Sequence, residues 1–218
     1  MDPTLLLDLD GTLVDTVPDL AAALNRLMAG RALAPFSWAE TKRMVGDGVS
    51  KLVERAFAAR GLVPDRHAVA DFMADYTAHI SVGSRAYEGV RECLGTLSSD
   101  GWRLAVCTNK PEAAARRLLD DLGLGSFMTA VGGGDSFPVR KPDPAHVLAT
   151  LKAAGGDRRS AVMGGDHAND VAAASGAGVP CVFAAWGYGT PAMAAGAACV
   201  AEDFPSLVDA ARKLVGSD

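Results

Sequence analysis

The sequence predicts an α/β protein in which a doubly wound parallel sheet carries a small all-helical domain inserted after its first strand. Two observations predict this fold class. Short apolar runs alternate along the chain with amphipathic helical patterns, and this alternation is typical of a parallel sheet with helices on both faces. Residues 18–84, which follow the first run, show helical patterns without a strand signal, and this indicates an insert.

Five apolar runs are predicted to be strands of the sheet. The first, Leu5-Leu6-Leu7, leads directly into Asp8-Leu9-Asp10-Gly11. Such runs are typical of parallel strands that are buried on both faces. The other four runs are Arg103 to Thr108, Met128 to Val131, Ala161 to Gly164 and Pro180 to Ala184. Because ligands bind these sheets at the C-terminal ends of the strands, the polar residues after each run are candidates for a functional site.

Helical patterns between the runs complete the predicted core. Glu112 to Leu122 carries its apolar residues on one face, with Pro111 at the expected first helical position, and Pro144 to Ala154 repeats this design. The helical insert is expected to pack over the C-terminal end of the first strand. The predicted boundaries are residues 1–16 and 86–218 for the core and residues 17–85 for the insert.

Composition and charge exclude several classes of partner. The formal net charge is -5 and no block of basic residues occurs, so nucleic acid is not an expected partner. The N-terminus lacks a basic region and its apolar run is too short for a signal peptide, which predicts a cytoplasmic protein. The uncharged stretch from Val171 to Ala201 is broken by prolines and glycines, so no membrane helix is expected there. The four cysteines are widely spaced and are predicted to be free thiols.

Two acidic pairs follow predicted strands. Asp8 and Asp10 are two residues apart, so a continuing strand would place both side chains on one side. Asp166 and Asp170 follow the fourth run. Four carboxylates at one sheet edge are costly unless a cation neutralises them, and hard oxygen ligands suit Mg²⁺. The sequence therefore predicts a magnesium site.

Other polar residues at the same edge could hold an anion. Thr108-Asn109 ends the second run, immediately before the expected helix start at Lys110-Pro111. A hydroxyl, an amide and the N–H groups of a helix N-terminus could together bind one phosphate. Lys141 precedes Pro142 and Pro144, which favour an extended approach to the next helix, and its amine is the candidate cation.

These motifs, in this order, resemble the four motifs of the haloacid dehalogenase superfamily. The resemblance is carried by Asp8 to Asp15, Thr108-Asn109, Lys141-Pro142, and Gly165-Asp166 with Asp170, and it implies a Rossmann-like core. The helical insert resembles the C1 class of cap domains. Within that class, Val45 to Val49 followed by Leu52 to Ala56 is similar to the cap of phosphoglycolate phosphatases.

Two positions depart from the family pattern. Leu7 stands where phenylalanine often precedes the first aspartate, and His167 stands where serine is common. His167 is interpreted as the cap of the following helix rather than as a group in the second shell of the metal. Asp15 is interpreted as a hinge or structural residue.

The resemblance implies a role for each motif residue. Asp8 would attack phosphorus and become an aspartyl phosphate, while Asp10 would serve as general acid and then general base. Mg²⁺ would be held by Asp8, Asp166 and the backbone carbonyl of Asp10, with Asp170 orienting bound water or Lys141. The remaining predicted contacts to phosphate or substrate are Gly11, Thr12, Thr108, Asn109, Lys141, Gly46 and Arg55.

The predicted function is hydrolysis of a small phosphate monoester, with 2-phosphoglycolate as the substrate that the resemblance implies. Two alternatives stay open. A sugar phosphomutase would share the fold and the aspartyl phosphate, and a receiver domain would accept phosphate on an aspartate without rapid turnover. The expected partner is a small phosphorylated metabolite, and the expected state is a monomer or a homodimer.

Overall fold

The sheet lies at the centre of the core domain. The computed structural model describes residues 2–216, and within them six parallel strands form one sheet in the order β5-β4-β1-β6-β7-β8. The strands are β1 (Thr4–Leu7), β4 (Arg103–Cys107), β5 (Ala130–Gly132), β6 (Ala161–Gly165), β7 (Cys181–Ala184) and β8 (Cys199–Ala201). The predicted fold class and its five apolar strands are confirmed. The sixth strand, β8, was missed because it is short and its Val200 is half exposed at the sheet edge.

Helices cover both faces of this sheet. Side chains alternate along a strand, so Leu6 packs in one apolar cluster while Leu5 and Leu7 pack in the other. The Leu6 side is covered by α7 (Pro144–Ala153) and α8 (Ala168–Ala177). The other side is covered by α5 (Val90–Ser99), α6 (Glu112–Asp121) and α9 (Phe204–Val215).

The helical insert follows β1 and returns to the core beside its starting point. It contains α1 (Val17–Ala29), α2 (Trp38–Lys42), α3 (Val49–Ala58) and α4 (Ala68–Ala78). Two short strands, β2 (Val14–Asp15) and β3 (Arg85–Ala86), pair antiparallel at its two ends. This pairing was not predicted, and it ties the two linkers of the insert to each other.

One predicted helix start is wrong by one residue. Pro111 does not occupy the first helical position of α6; its ψ of 137° is extended, and it is the N-cap of a helix that begins at Glu112. The N–H of Glu112 donates to Asp135 Oδ1 at 2.7 Å. Lys110 therefore belongs to the loop that joins β4 to α6.

The uncharged stretch of residues 171–201 does not form one long helix. It contains most of α8, strand β7, the edge strand β8 and a 3-10 turn at Pro191–Ala194. Over residues 2–216, none of the helices combines the length and the apolar character that crossing a membrane requires. All four cysteines lie within residues 2–216 and are free thiols.

Candidate active site

Three neighbouring strands deliver the candidate side chains to one edge of the sheet. Asp8 follows β1, Thr108 follows β4 and Asp166 follows β6. β1 lies between the other two strands, and the pairing continues past the strand ends. The N–H of Asp8 donates to Gly164 O, and that of Thr108 donates to Gly132 O, each at 2.9 Å. The parallel topology thus brings together residues more than 150 positions apart.

Three carboxylates form a buried cluster at this edge. Asp8, Asp166 and Asp170 each place an oxygen within 4.8 Å of the others. Asp8 Oδ1 is buried and accepts no hydrogen bond, although Lys141 Nζ lies 3.0 Å away. Burial, together with the charge of Asp8, raises the pKa values of Asp166 and Asp170. Hard anionic oxygens in this arrangement suit a divalent cation, and the cluster is therefore the candidate metal site.

Asp166 is oriented by hydrogen bonds to both of its oxygens. Thr12 Oγ1 donates to Oδ1 at 2.9 Å, and the N–H of Tyr188 donates to Oδ2 at 2.6 Å. Gly11 has a φ of +89°, and a Cβ there would lie 2.5 Å from Asp166 Oδ2. Gly11 and Thr12 were predicted to bind phosphate, but the structure places both against Asp166.

Lys141 neutralises part of the cluster's charge. Its amine lies 2.5 Å from Asp170 Oδ1 and also donates to Cys107 O at 2.5 Å. Burial disfavours the charged amine, but Asp170 and Asp8 outweigh this cost and raise the pKa of Lys141. The backbone N–H of Lys141 donates to His146 Nδ1 at 3.2 Å, which anchors the loop. Lys141 thus contacts both Asp8 and Asp170. This arrangement is compatible with a role of Asp170 in orienting the lysine.

Asp10 does not join the cluster, so the structure brings together three carboxylates and not the expected four. The reason is that β1 ends at Leu7, so the two-residue alternation of a strand does not continue to Asp10. Its carboxylate turns instead to Lys110, whose Nζ lies 2.9 Å from Oδ1 and 3.2 Å from Oδ2. The side chain of Asp10 is thus separate from the candidate metal ligands.

Lys110 is a site residue that the sequence analysis missed. Its side chain is 2% exposed, and its amine also donates to the hydroxyl of Tyr76 on α4 at 2.7 Å. Burial disfavours the ammonium, but Asp10 and Tyr76 outweigh that cost and raise the pKa of Lys110. The amine is therefore held charged between the core and the helical insert.

Thr108 and Asn109 line the cavity together with Asp8, but the first N–H of the following helix already has a partner. The first N–H of α6 is bonded to Asp135, and the N–H of Lys110 donates to Thr108 Oγ1 at 3.3 Å. The amide nitrogen of Asn109 donates to Gly46 O at 3.0 Å and to Lys141 O at 2.9 Å. Asn109 therefore joins the insert, the core and the Lys141 loop.

The helical insert lies over the site and encloses a cavity. Apolar side chains of the insert form one wall, and polar side chains of the core form the other. The lining residues are Leu20, Val45, Gly46, Gly48, Val49 and Leu52 from the insert, and Asp8, Asp10, Thr108, Asn109 and Lys110 from the core. Such a compartment excludes bulk water from Asp8, and this strengthens the electrostatic interactions inside.

The loop Gly46-Asp47-Gly48 forms a second contact between insert and core, besides that of Tyr76 with Lys110. Asn169 Nδ2 donates to Asp47 Oδ1 at 2.7 Å. Gly46 has a φ of +121°, and a Cβ there would lie 2.7 Å from the ring of His167. This close approach explains a glycine at position 46. His167 caps α8, its Nδ1 accepting from the N–H of Asn169 at 3.2 Å, as predicted.

Arg55 does not line the cavity. Its half-exposed guanidinium pairs with Asp47 and donates to Met44 O at 2.9 Å. The structure therefore places this predicted substrate contact behind the loop, where it supports Asp47.

Tyr188 is a further residue without a sequence prediction. Its hydroxyl donates to Asp15 Oδ1 at 2.8 Å and accepts from the N–H of Thr16 at 2.6 Å. These bonds tie the loop after β7 to the first linker of the insert, where Asp15 lies. The only sequence signal was the flanking pair Gly187 and Gly189, at which a Cβ would collide with Asp166.

Comparison with known proteins identifies relatives over nearly the whole chain. Residues 3–178 match the family model of haloacid dehalogenase-like hydrolases. A phosphoglycolate phosphatase from Rhodospirillum rubrum is 44% identical over 96% of this chain and 90% of its own length. A protein of the same name from Agrobacterium fabrum is 40% identical, over 96% of this chain and 92% of its own.

A solved structure is similar to the whole fold. It is described as a predicted phosphoglycolate phosphatase from Haemophilus somnus and is 28% identical to this chain. The match has a TM-score of 0.88 and covers 96% of this chain and 97% of that one. The insert and the core thus occur together in a known protein.

Proposed function

Because this chain belongs to the haloacid dehalogenase-like hydrolases, we propose that it hydrolyses 2-phosphoglycolate to glycolate and phosphate through an aspartyl phosphate on Asp8. The relatives that are 40–44% identical over most of the chain are named for this reaction, and the chain is a phosphoric monoester hydrolase. In this proposal residues 17–85 are a C1-type cap that closes over the substrate.

The observation that carries the proposal is the position of Asp8 in the enclosed cavity. Its carboxylate faces a space that is lined by a second carboxylate, a hydroxyl, an amide and a lysine. Asp8 belongs to the carboxylate cluster with Asp166 and Asp170, and Asp10, paired with Lys110, lines the same cavity. A nucleophile, a proton donor and cationic groups thus surround one small compartment, as phosphoryl transfer requires.

In the proposed mechanism, Asp8 attacks phosphorus and displaces the glycolate oxygen, to which Asp10 gives a proton. Asp10 then takes a proton from the water that hydrolyses the aspartyl phosphate. Lys141 and the hydroxyl of Thr108 stabilise the phosphoryl oxygens. Asn109, whose two amide protons are bonded to Gly46 O and Lys141 O, holds the surrounding loops in place. The apolar wall of the insert keeps other water away.

We propose Mg²⁺ as the cation, held by Asp8, Asp166 and the backbone carbonyl of Asp10, with Asp170 acting through Lys141. Three buried carboxylates, one of them with an oxygen that accepts no hydrogen bond, fit this ion. Bound there, it would offset the repulsion between the Asp8 carboxylate and an anionic phosphate.

Magnesium is expected to raise the melting temperature, and more strongly at pH 8 than at pH 5. The raised pKa values of Asp166 and Asp170 mean that the metal-free protein loses stability as pH rises above about 4, where these groups ionise in the unfolded chain. A bound cation removes this cost. Thermal unfolding with EDTA and with saturating Mg²⁺ should differ by about 5 °C or more at pH 8.

Two variants control this experiment. Asp166→Asn should lose the magnesium-dependent shift in melting temperature. Asp157→Asn should keep it, because Asp157 precedes β6 and lies at the N-terminal end of that strand. A melting temperature that ignores magnesium at both pH values would contradict the proposed metal site.

The substrate is tested by comparing kcat/KM for 2-phosphoglycolate, sugar phosphates, pyrophosphate and nucleotides. We expect 2-phosphoglycolate to exceed the others by about tenfold or more, because a small enclosed site discriminates against larger leaving groups. A tenfold preference for a sugar phosphate would overturn this choice of substrate.

The alternatives are separated by the fate of phosphate. A phosphomutase would return the phosphoryl group to its substrate, whereas this proposal requires one free phosphate for each product alcohol. A receiver domain does not fit, because the hydrolase family match extends through the helical insert. A cytoplasmic location, a monomeric or homodimeric state and the absence of nucleic-acid partners stay predictions from the sequence.

A further inference from the structure

A buried chain of three side chains connects the helical insert to the proposed acid–base residue. Tyr76 on α4 accepts from Lys110 Nζ at 2.7 Å, and the same amine contacts both oxygens of Asp10. Tyr76 is 1% exposed and Lys110 is 4% exposed. An ammonium has three donors, and these three contacts match them.

The two ends of this chain belong to different parts of the protein. Lys110 is anchored in the core, where its carbonyl accepts from the N–H of Gly134 at 2.8 Å and its own N–H donates to Thr108 Oγ1. Tyr76 is fixed within the insert, where its ring stacks on Phe72 with the ring centres 5.8 Å apart. If the insert moves away from the core, the hydroxyl leaves the amine.

The lysine is also held from one side by the tyrosine ring. Its Nζ lies 4.6 Å from the centre of that ring, so the hydroxyl and the ring together define where the ammonium sits. A buried ammonium that lost this partner would have one N–H without an acceptor, and because an unsatisfied buried donor is costly, the amine would move toward another acceptor. A shift of the amine toward another acceptor would change its contacts with both oxygens of Asp10, and the lysine would then no longer hold Asp10 in its present position.

We infer that Tyr76 is a positioning residue for the acid–base step: through Lys110 it holds the carboxylate of Asp10 in place only while the insert covers the site. This inference rests on the proposed function, because it assigns to Asp10 the proton transfers of a phosphatase. It differs from a purely structural role, in which the tyrosine would only satisfy a buried lysine. The two roles predict different kinetics.

The test is Tyr76→Phe, which removes the hydroxyl and keeps the ring. Phosphoryl transfer to Asp8 is followed by rapid mixing and acid quench, with 2-phosphoglycolate or with whichever alkyl phosphate the wild type hydrolyses fastest. The alkoxide that leaves an alkyl phosphate needs a proton. We therefore expect the rate of phosphoryl transfer from the alkyl phosphate to fall about tenfold in Tyr76→Phe, with KM changed less than about twofold. The burst of p-nitrophenolate from p-nitrophenyl phosphate needs no proton and should keep its wild-type rate.

Two comparisons separate positioning from damage. Phe57→Leu loosens the packing of the insert at a buried position of α3 and keeps both the Tyr76 hydroxyl and its ring stack, so it should lower the melting temperature and leave the rate of transfer from the alkyl phosphate unchanged. On a Lys110→Met background, Tyr76→Phe should have less than about a twofold effect, because the two groups act as a unit.

Specific results would overturn the inference. They are a wild-type rate in Tyr76→Phe, an equal loss with both substrates, the same kinetic pattern in Phe57→Leu, or effects of Tyr76→Phe and Lys110→Met that multiply independently. The leaving-group comparison in Tyr76→Phe decides the matter even if Lys110→Met does not fold. A wild-type protein that hydrolyses neither substrate would instead refute the proposed function.

Discussion

Replacing Asp8 by Asn is expected to lower kcat by at least about 10⁴-fold, because an amide cannot attack phosphorus and no other carboxylate occupies that position. The variant should fold, since Asn has nearly the same shape and Asp8 Oδ1 accepts no hydrogen bond that would be lost. It also removes one charge from a cluster in which burial and the charge of Asp8 raise the pKa of Asp166. Steady-state phosphate release measures the loss of kcat, and thermal unfolding checks that the variant is folded.

The matched control is Asp157→Asn, which makes the same chemical change beside Arg159 at the other end of β6. It should keep the activity of the wild type. Phosphatase activity in Asp8→Asn within about tenfold of the wild type would contradict the assignment of the nucleophile.

Replacing Lys141 by Met is expected to impair both stability and catalysis. Lys141 Nζ contacts Asp8, Asp170 and the carbonyl of Cys107 in a site that is nearly closed to solvent. Removing one partner of such a buried ion pair costs about 3–5 kcal/mol of unfolding free energy, because the carboxylates lose their compensating charge. Without the cation beside the phosphoryl group, kcat should fall by about 10²–10³-fold.

Urea unfolding and steady-state kinetics measure these effects, with Lys152→Met as the control. Lys152 is an exposed lysine in the last turn of α7, the same helix that follows the Lys141 loop. Its replacement should change neither quantity appreciably. Wild-type kinetics in Lys141→Met would show that the buried ion pairs have no part in phosphoryl transfer.

The parts of this protein that the sequence predicts are those encoded in short stretches of chain. An apolar run followed by Asp8, or by Asp166, marks a buried strand and the residues that leave its end. The alternation of such runs with helical patterns is enough to predict a parallel sheet, and the sheet then brings these ends together. The candidate metal cluster follows from topology because Asp8 and Asp166 lie directly after neighbouring strands and Asp170 lies in the first turn of α8, the helix that follows Asp166.

The parts that could not be predicted depend on contacts between distant or irregular segments. Lys110 and Tyr76 are 34 positions apart, and neither lies in a pattern that distinguishes it from a solvated lysine or a core tyrosine. The direction of Asp10 depends on where β1 ends, and the apolar pattern does not set that end to within one residue. Tyr188 reaches Asp15 across 173 positions through a loop without regular structure.

The central claim is that Asp8 receives the phosphoryl group, and trapping that intermediate tests it most directly. Wild-type enzyme is mixed with Mg²⁺ and 2-phosphoglycolate, quenched in acid within milliseconds, digested and analysed by mass spectrometry. We predict one phosphoryl group on the peptide that contains Asp8, formed before free phosphate appears and missing in Asp8→Asn. Phosphate released in the first turnover with no phosphorylated peptide at any quench time, or with the group on another residue, would contradict the account.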